Sequence, residues 1–316
     1  MSDAVVSAGS RGPSGAVRDV LLVGRFELAE AVRSRLLVVM VLLFVGAGAV
    51  GAWGYSALID QAEHRAAEVL GAPQSRRPGA AVRRLRDTRS YRDIVRVFVH
   101  DEKKADYFAS FPPIVVFYAF ASFIFTPWLI LFTSSETIAS EVASRQIRYS
   151  LLRTTRLRYA LGKALGQLLI LVGVTALAAI VFFVVAWLRL SGFEAGATAA
   201  GLLSYWPRIV LYTVPFLGFS LFASMVTSSA NLARMVALGG AILLAIASGL
   251  AAQEQWKETA VAAGALDLLG FVTPFGHAEG LRYPQGGAFV PDLATCLALG
   301  VLYFAAGFLG LARRDV

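Results

Sequence analysis

SETIASEVASRQIRYSLLRTTRLRYALGK, Ser135–Lys163, is the stretch on which the fold turns. It carries six basic residues against two acidic ones and stands between two long apolar runs. A turn of a few residues would connect neighbouring membrane spans, so a helix-forming segment of this length calls for a further reason. Read as a helix, it sets Glu141 four residues before Arg145 with the acid N-terminal, the favourable order for an ion pair. Arg145, Arg148 and Tyr149 then give a polar face, Leu151 and Leu152 an apolar edge, and Arg153, Arg156 and Arg158 a second basic cluster. One reading of these cations is purely topological: an interfacial positive loop against anionic lipid.

The apolar runs on either side belong to a set of six, near Leu36–Ile59, Pro112–Phe132, Ala164–Leu188, Ile209–Val226, Met235–Ala252 and Leu293–Ala312. Each is long enough to cross a hydrocarbon core, which takes about 20 residues. The composition agrees: 57% hydrophobic and 16% charged, with mean hydropathy +0.65, is too apolar for a soluble domain. The fold expected is an all-α polytopic membrane protein with six transmembrane helices. Within these boundaries no run contains Asp, Glu, Lys, Arg or His. Ion-coupled pumps carry such residues inside the membrane, so any work done here draws its energy from elsewhere.

The formal charge of +8 sits in segments flanking the runs, which is a topology signal rather than a nucleic-acid footprint. Counting Lys and Arg places both termini and the 134–163 loop on the cytoplasmic side. The exception is Asp60–Tyr107, with eleven basic and eight acidic residues. Parity puts it outside, as an extracytoplasmic insertion over 60–110, partly helical and broken by GAPQSRRPG at Gly71–Gly79.

Ahead of the first run, residues 1–16 are small and polar, a disordered tail. VRDVLLVGRFELAEAVRSR, Val17–Arg35, then alternates apolar residues with Arg18, Arg25 and Arg33 in the manner of an amphipathic interfacial helix. A plain charged lead-in to the span remains open. Between the last two runs, Val261–Pro291 is half apolar and punctuated by Gly and Pro, and is expected to form re-entrant or surface-lying helices on the outer side. Small residues at helix-packing spacing, Ala47 with Gly51 and Gly162 with Gly166, are candidate close approaches.

Catalytic signatures are missing. LGKALG lacks the first glycine and the Ser/Thr of a P-loop, the three histidines show no zinc spacing, and no GxSxG occurs. The chain is therefore not expected to hydrolyse nucleotide itself, nor to hold a cofactor or metal. The single cysteine, Cys296, gives no disulfide.

The 135–163 stretch resembles the type-2 class of ATP-binding-cassette permeases. Glu141, Ile147, Leu151–Leu152, Arg156 or Arg158, and Leu161–Gly162–Lys163 match that family's loop between the second and third spans in order and spacing, while Arg145–Gln146 stand where Gly-Thr is usual and Thr155 where proline is usual. Gly24–Phe44 is similar to the family's amphipathic leading helix, and Leu268–Gly280 to the segment before its last span. The leading helix and loop look most like permeases of the nitrous-oxide-reductase-maturation and gliding-machinery kind.

The resemblance implies a permease in the bacterial inner membrane that pairs with a second permease subunit and binds two copies of a separate P-loop ATPase, which would hold ATP and Mg. It makes Glu141, Arg145, Gln146, Arg148 and Tyr149 the candidate coupling residues. Three uses stay open: export of a lipophilic or amphipathic substrate, mechanical transmission to a periplasmic partner through 60–110 without transport, and a membrane scaffold with no ATPase.

Overall fold

The computed structural model describes residues 13–33, 35–70, 78–79, 89–99, 101–191, 193–253 and 260–314. Most of the tail read as disordered, 1–12, and the break at 71–77 lie outside the described residues. Everything regular among the described residues is helical, and six helices are long and apolar enough to cross a membrane. These are Arg35–Leu70, Pro113–Ser134, Arg156–Arg189, Ala195–Val226, Ala230–Ala251 and Phe289–Ala312, called spans 1 to 6. A leading helix, Pro13–Arg33, precedes them.

Two helices start well before their apolar runs. Span 3 begins at Arg156 rather than Ala164, because Thr155 is in extended conformation and its side chain caps the Arg158 N–H at 3.4 Å. Span 4 begins at Ala195 rather than Ile209. Pro207 and Arg208 mark a boundary by composition, yet Pro207 and Pro215 both lie inside the helix, as is tolerated where neighbouring helices satisfy the freed carbonyls. With these boundaries the spans are not free of charge: Lys163 belongs to the span 3 helix and Arg208 to the span 4 helix. Both are partnered. Arg208 donates to the Tyr107 hydroxyl and to Ser204 Oγ, each at 2.9 Å.

Span 4 is the most enclosed of the six and span 5 the least. Tyr205, Ile209, Tyr212, Phe216 and Leu221 put one full side of span 4 into the core. Its closest neighbour is span 6, where Gly218 meets the Gly300 backbone and Gly307 meets Phe222. A methyl group at any of these would overlap its neighbour, so glycine sets the helix separation. Spans 1 and 3 approach in the same way, but at Gly48, where a Cβ would stand 2.7 Å from the Ala178 carbonyl oxygen. Gly51 has ordinary contacts only.

The leading helix, the 135–155 loop, the 227–229 turn and the C-terminus share one end of the bundle. Arg158 pairs with Asp19 at 2.8 Å, and Arg156 donates to the carbonyls of Leu311 and Ala312 at 3.2 and 2.6 Å. Arg314 closes the ring by donating to Val226 and Thr227 carbonyls. We call this the loop end.

At the distal end, helices Arg89–Val99 and Glu102–Ala109 follow span 1. Tyr107 and Phe108 pack against Phe111 and Tyr283. Helix Ala260–Val272 leads to a turn, Pro274–His277, and a short helix, Ala278–Arg282. The turn runs deep. The Phe275 ring centroid lies 6.0 Å from that of Trp128 and, edge-on, 4.9 Å from that of Phe216, and Trp128 lies fifteen residues beyond Pro113, about 22 Å along span 2 at 1.5 Å per residue. His277 is buried and pins the turn, with Nδ1 2.8 Å from Asp292 Oδ1 and Nε2 3.0 Å from the Phe271 carbonyl.

Candidate functional site

After span 2 ends at Ser134, the chain makes two five-residue helices, Ala139–Ala143 and Ile147–Leu151, instead of one continuous helix. The break is at Arg145, whose φ of +60° is the sole positive value among described non-glycine residues. A left-handed residue just past a helix end is the usual C-terminal stop, and glycine takes it without steric cost. The resemblance places glycine at this position, and here an arginine adopts the glycine conformation. The expected Glu141–Arg145 pairing therefore gives way to another arrangement.

Glu141 turns into the protein. Its Oε2 accepts from the Tyr159 hydroxyl at 2.7 Å, and its Oε1 pairs with the Lys163 ammonium. Lys163 also pairs with Glu27 of the leading helix, and the Lys163 and Glu27 side chains are 5% and 8% exposed. Gln167 Nε2 donates to the second Glu27 oxygen at 3.0 Å while its carbonyl accepts from Ser134 Oγ at 3.0 Å. One connected set of polar side chains thus joins span 2, the loop, span 3 and the leading helix. Each member is satisfied, which a buried polar network requires to hold its shape.

Glycines make the approach feasible. A Cβ at Gly166 would lie 2.6 Å from Glu27 Cγ, and one at Gly162 would overlap Val23. The Gly162/Gly166 spacing does mark a close contact, and its partner is the leading helix rather than another span. Leu21, Leu22 and Phe26 on the other side of that helix are exposed.

The carboxylates of Glu27, Glu30 and Glu141 come within 4.8 Å of one another. Burial lifts the Glu30 carboxyl above its ordinary range, opposed by the Lys163 charge and reinforced by the other two acids. Lys163 occupies the position that a cation would take among them, so the cluster reads as an ion-paired lysine.

Two further contacts fix the start of the loop. Ser224 Oγ in span 4 accepts from the Ile138 and Ala139 N–H groups at 2.8 and 2.9 Å, and Glu136 pairs with Arg234 in span 5. Ile138, Ala139 and Ile147 are fully buried beneath them. Arg145, Gln146, Arg148 and Tyr149 point the other way and are exposed, Tyr149 by 76%, with Leu152 beside them at 82%. Of the five candidate coupling residues, the structure groups four on one open surface and puts Glu141 at its buried root.

Glu27, Tyr159, Lys163 and Gln167 were not among the candidate site residues. The signal was present: Tyr159, Lys163 and Gln167 recur every four residues on one helix face, and Glu27 is the acid on the side of the leading helix that carries Gly24.

A six-helix bundle with a loop rooted by buried ion pairs and presenting basic and aromatic side chains at one end defines a polytopic membrane domain. A family profile described as ABC-2 family transporter protein matches residues 21–316, and the chain belongs to that family. No curated protein matches the chain significantly. ABC-2 membrane domains are the permease component of their transporters and are not themselves catalytic.

Proposed function

We propose that this chain is the permease subunit of an ATP-binding-cassette exporter, with the loop end cytoplasmic and the 135–155 loop as the docking element for a separate ATPase. Two copies of the ATPase, holding ATP and Mg, would act on a pair of permease subunits in a bacterial cytoplasmic membrane. The observation that carries this reading is the two-sided loop. Its outer surface is basic and aromatic, enriched in residue types that anchor protein interfaces, and its inner side is tied by Glu141 through Lys163 to Glu27 and by Glu136 to Arg234. A push on the surface would therefore move the leading helix and spans 3 and 5 together. On this orientation the 260–282 hairpin enters from the outer side, and the leading helix lies on the inner leaflet with Leu21, Leu22 and Phe26 toward lipid. The cargo proposed is lipophilic or amphipathic.

The distal end supports a second reading. Helix Glu102–Ala109 is fastened to the hairpin by the Lys104–Glu279 pair and by Tyr107 and Phe108 against Tyr283, so hairpin motion would reach the 60–110 insertion and any protein bound to it without transport. The likeness of the loop to maturation and gliding permeases supports this use equally.

The test is purification of the tagged chain from native membranes with identification of the chains that accompany it. A P-loop ATPase is expected, retained by wild type and lost or uncoupled with Arg148→Glu together with Tyr149→Ala, both exposed. Recovery of the intact chain without any ATPase, under conditions that keep complexes whole, would count for a scaffold and against both readings.

A further inference from the structure

A second charged side chain, Arg282, is partly buried at the distal end, away from the loop network. Arg282 ends the ascending arm of the hairpin, and its guanidinium lies 4.7 Å from the Phe120 ring centroid and 5.8 Å from that of Phe123. Those phenylalanines are seven and ten residues beyond Pro113, about 10 and 15 Å along span 2 at the helical rise. The charge is therefore carried well inside the bundle, at a depth where an ionisable group persists only with a role. Among the described residues no carboxylate pairs with it, and the only donor it uses is Nε, to the Ala278 carbonyl at 3.3 Å.

The cation lies over the faces of the two aromatic rings, and among the described residues its terminal N–H groups have no acceptor beside the Nε bond to Ala278. Arg282 lines a cavity of about 150 Å³ together with Phe108, Phe120 and Tyr283. Lys104 and Glu279 also line it, but they are paired with each other and so form a neutral rim. Aromatic walls, an ion pair closed on itself and one cation with no ion-pair partner among the described residues are the makings of a site for a negative charge on an apolar body.

We propose that this cavity binds one oxyanion, phosphate or carboxylate, borne by an amphiphile, with Arg282 as the residue that holds it. The planar guanidinium donates two parallel hydrogen bonds to two oxygens of the anion, and the aromatic walls take the first part of the apolar body. The site stands whether or not the chain exports what it binds.

Binding is measured on the full chain in a neutral detergent, using dioctanoyl phosphatidic acid, inorganic phosphate and dioctanoylglycerol as probes. Wild type is expected to bind the phosphatidic acid and to ignore the uncharged diacylglycerol. Arg282→Gln should weaken binding about 10- to 100-fold, the loss of a charge-assisted pair, and Arg282→Lys should weaken it less. Val99→Trp at the cavity wall keeps the charge and fills the space, so it should abolish binding even if the arginine variants fold poorly. Lys104→Met strips Glu279 of its partner and leaves a carboxylate on the cavity, so it should weaken binding, whereas Lys104→Met with Glu279→Gln keeps the rim neutral and should leave affinity unchanged. Failure of phosphate to compete at concentrations where the lipid does would support an amphiphile as the ligand; phosphate competing as well as the lipid would overturn the role given to the aromatic walls. Equal binding of diacylglycerol, or undiminished binding by folded Arg282→Gln and by Val99→Trp, would overturn the proposal.

Discussion

Replacing Lys163 by Met removes the one cation that, among the described residues, pairs with both Glu27 and Glu141, while keeping most of the side-chain volume. Three carboxylates would then face one another within 4.8 Å. Stripping one partner from a buried ion pair costs about 3–5 kcal/mol. The protein's cheapest escape is to bind a proton. Holding one carboxylic acid neutral at pH 7 against a reference value near 4.3 costs about 4 kcal/mol, and at pH 5.5 only about 1.6.

The sign follows from linkage. In the variant one folded-state carboxyl is raised above its unfolded value, so the folded state is best supported at low pH and loses that support as pH rises. Wild type lacks this particular loss because Lys163 supplies the compensating charge. At roughly 2–4 °C per kcal/mol for a large domain, Lys163→Met should melt about 8–15 °C below wild type at pH 7 and about 3–6 °C below at pH 5.5, in detergent at fixed scan rate. Adding Glu141→Gln removes one of the opposed charges and should restore part of the loss, a coupling of about 1–3 kcal/mol. A deficit below about 1 kcal/mol, or one equal at both pH values, or no restoration in the double variant, would refute the ion-pair account of this network.

Three other outcomes are expected. Arg145→Gly should raise thermal stability by about 0.5–1 kcal/mol, since a side chain in the left-handed region is strained by about 1–2 kcal/mol and glycine returns part of that as backbone entropy; a loss of stability would mean that the Arg145 side chain is needed where it stands. Gly166→Val should loosen the leading helix, whose Glu27 Cγ would lie 2.6 Å from the new Cβ, with a cost of about 2 kcal/mol or more; proteolysis between residues 13 and 33 would report it, and an unchanged cleavage rate would contradict the packing. Lys104→Ala should cost about 1 kcal/mol, because Glu279 of the Lys104–Glu279 pair is 63% exposed, and raising salt should shrink the difference in melting temperature.

Hydropathy identified the six spans because it reads the part of a helix that touches lipid. It could not place their ends. The helix continues until a cap or a breaker stops it, and Thr155 lies nine residues before Ala164 changes the hydropathy of span 3. In span 4, Pro207 and Arg208 looked like an end because nothing local shows that Tyr107, from a segment a hundred residues earlier, receives the arginine. The site was legible as a segment and not as side chains. Arg148 and Tyr149 were read as surface and are on the surface, whereas Glu141 was assigned a local partner under the rule for an uninterrupted helix. That rule failed at one residue. Arg145 in the left-handed conformation ends the first short helix, so positions 141 and 145 no longer share a face.

The same break explains the division of labour within the loop. Had the helix run through, Glu141 would stand four residues from Arg145 on the solvent side, and the loop would lose its tie to Lys163 and through it to the leading helix, keeping only the contacts at its start. Ending the helix at Ala143 lets Ala139–Ala143 lie with Glu141 toward Tyr159 and Lys163, while Ile147–Leu151 takes a new direction with Ile147 buried and Arg148 and Tyr149 exposed. A neutral hydrophobic root would slide, since apolar contacts are non-directional. Ion pairs with satisfied geometry do not, so force applied at Tyr149 has a defined path to Glu27 through Lys163. The strain held at Arg145 is thus small against the ion pairs it permits, about 1–2 kcal/mol against the 3–5 lost when such a pair is broken.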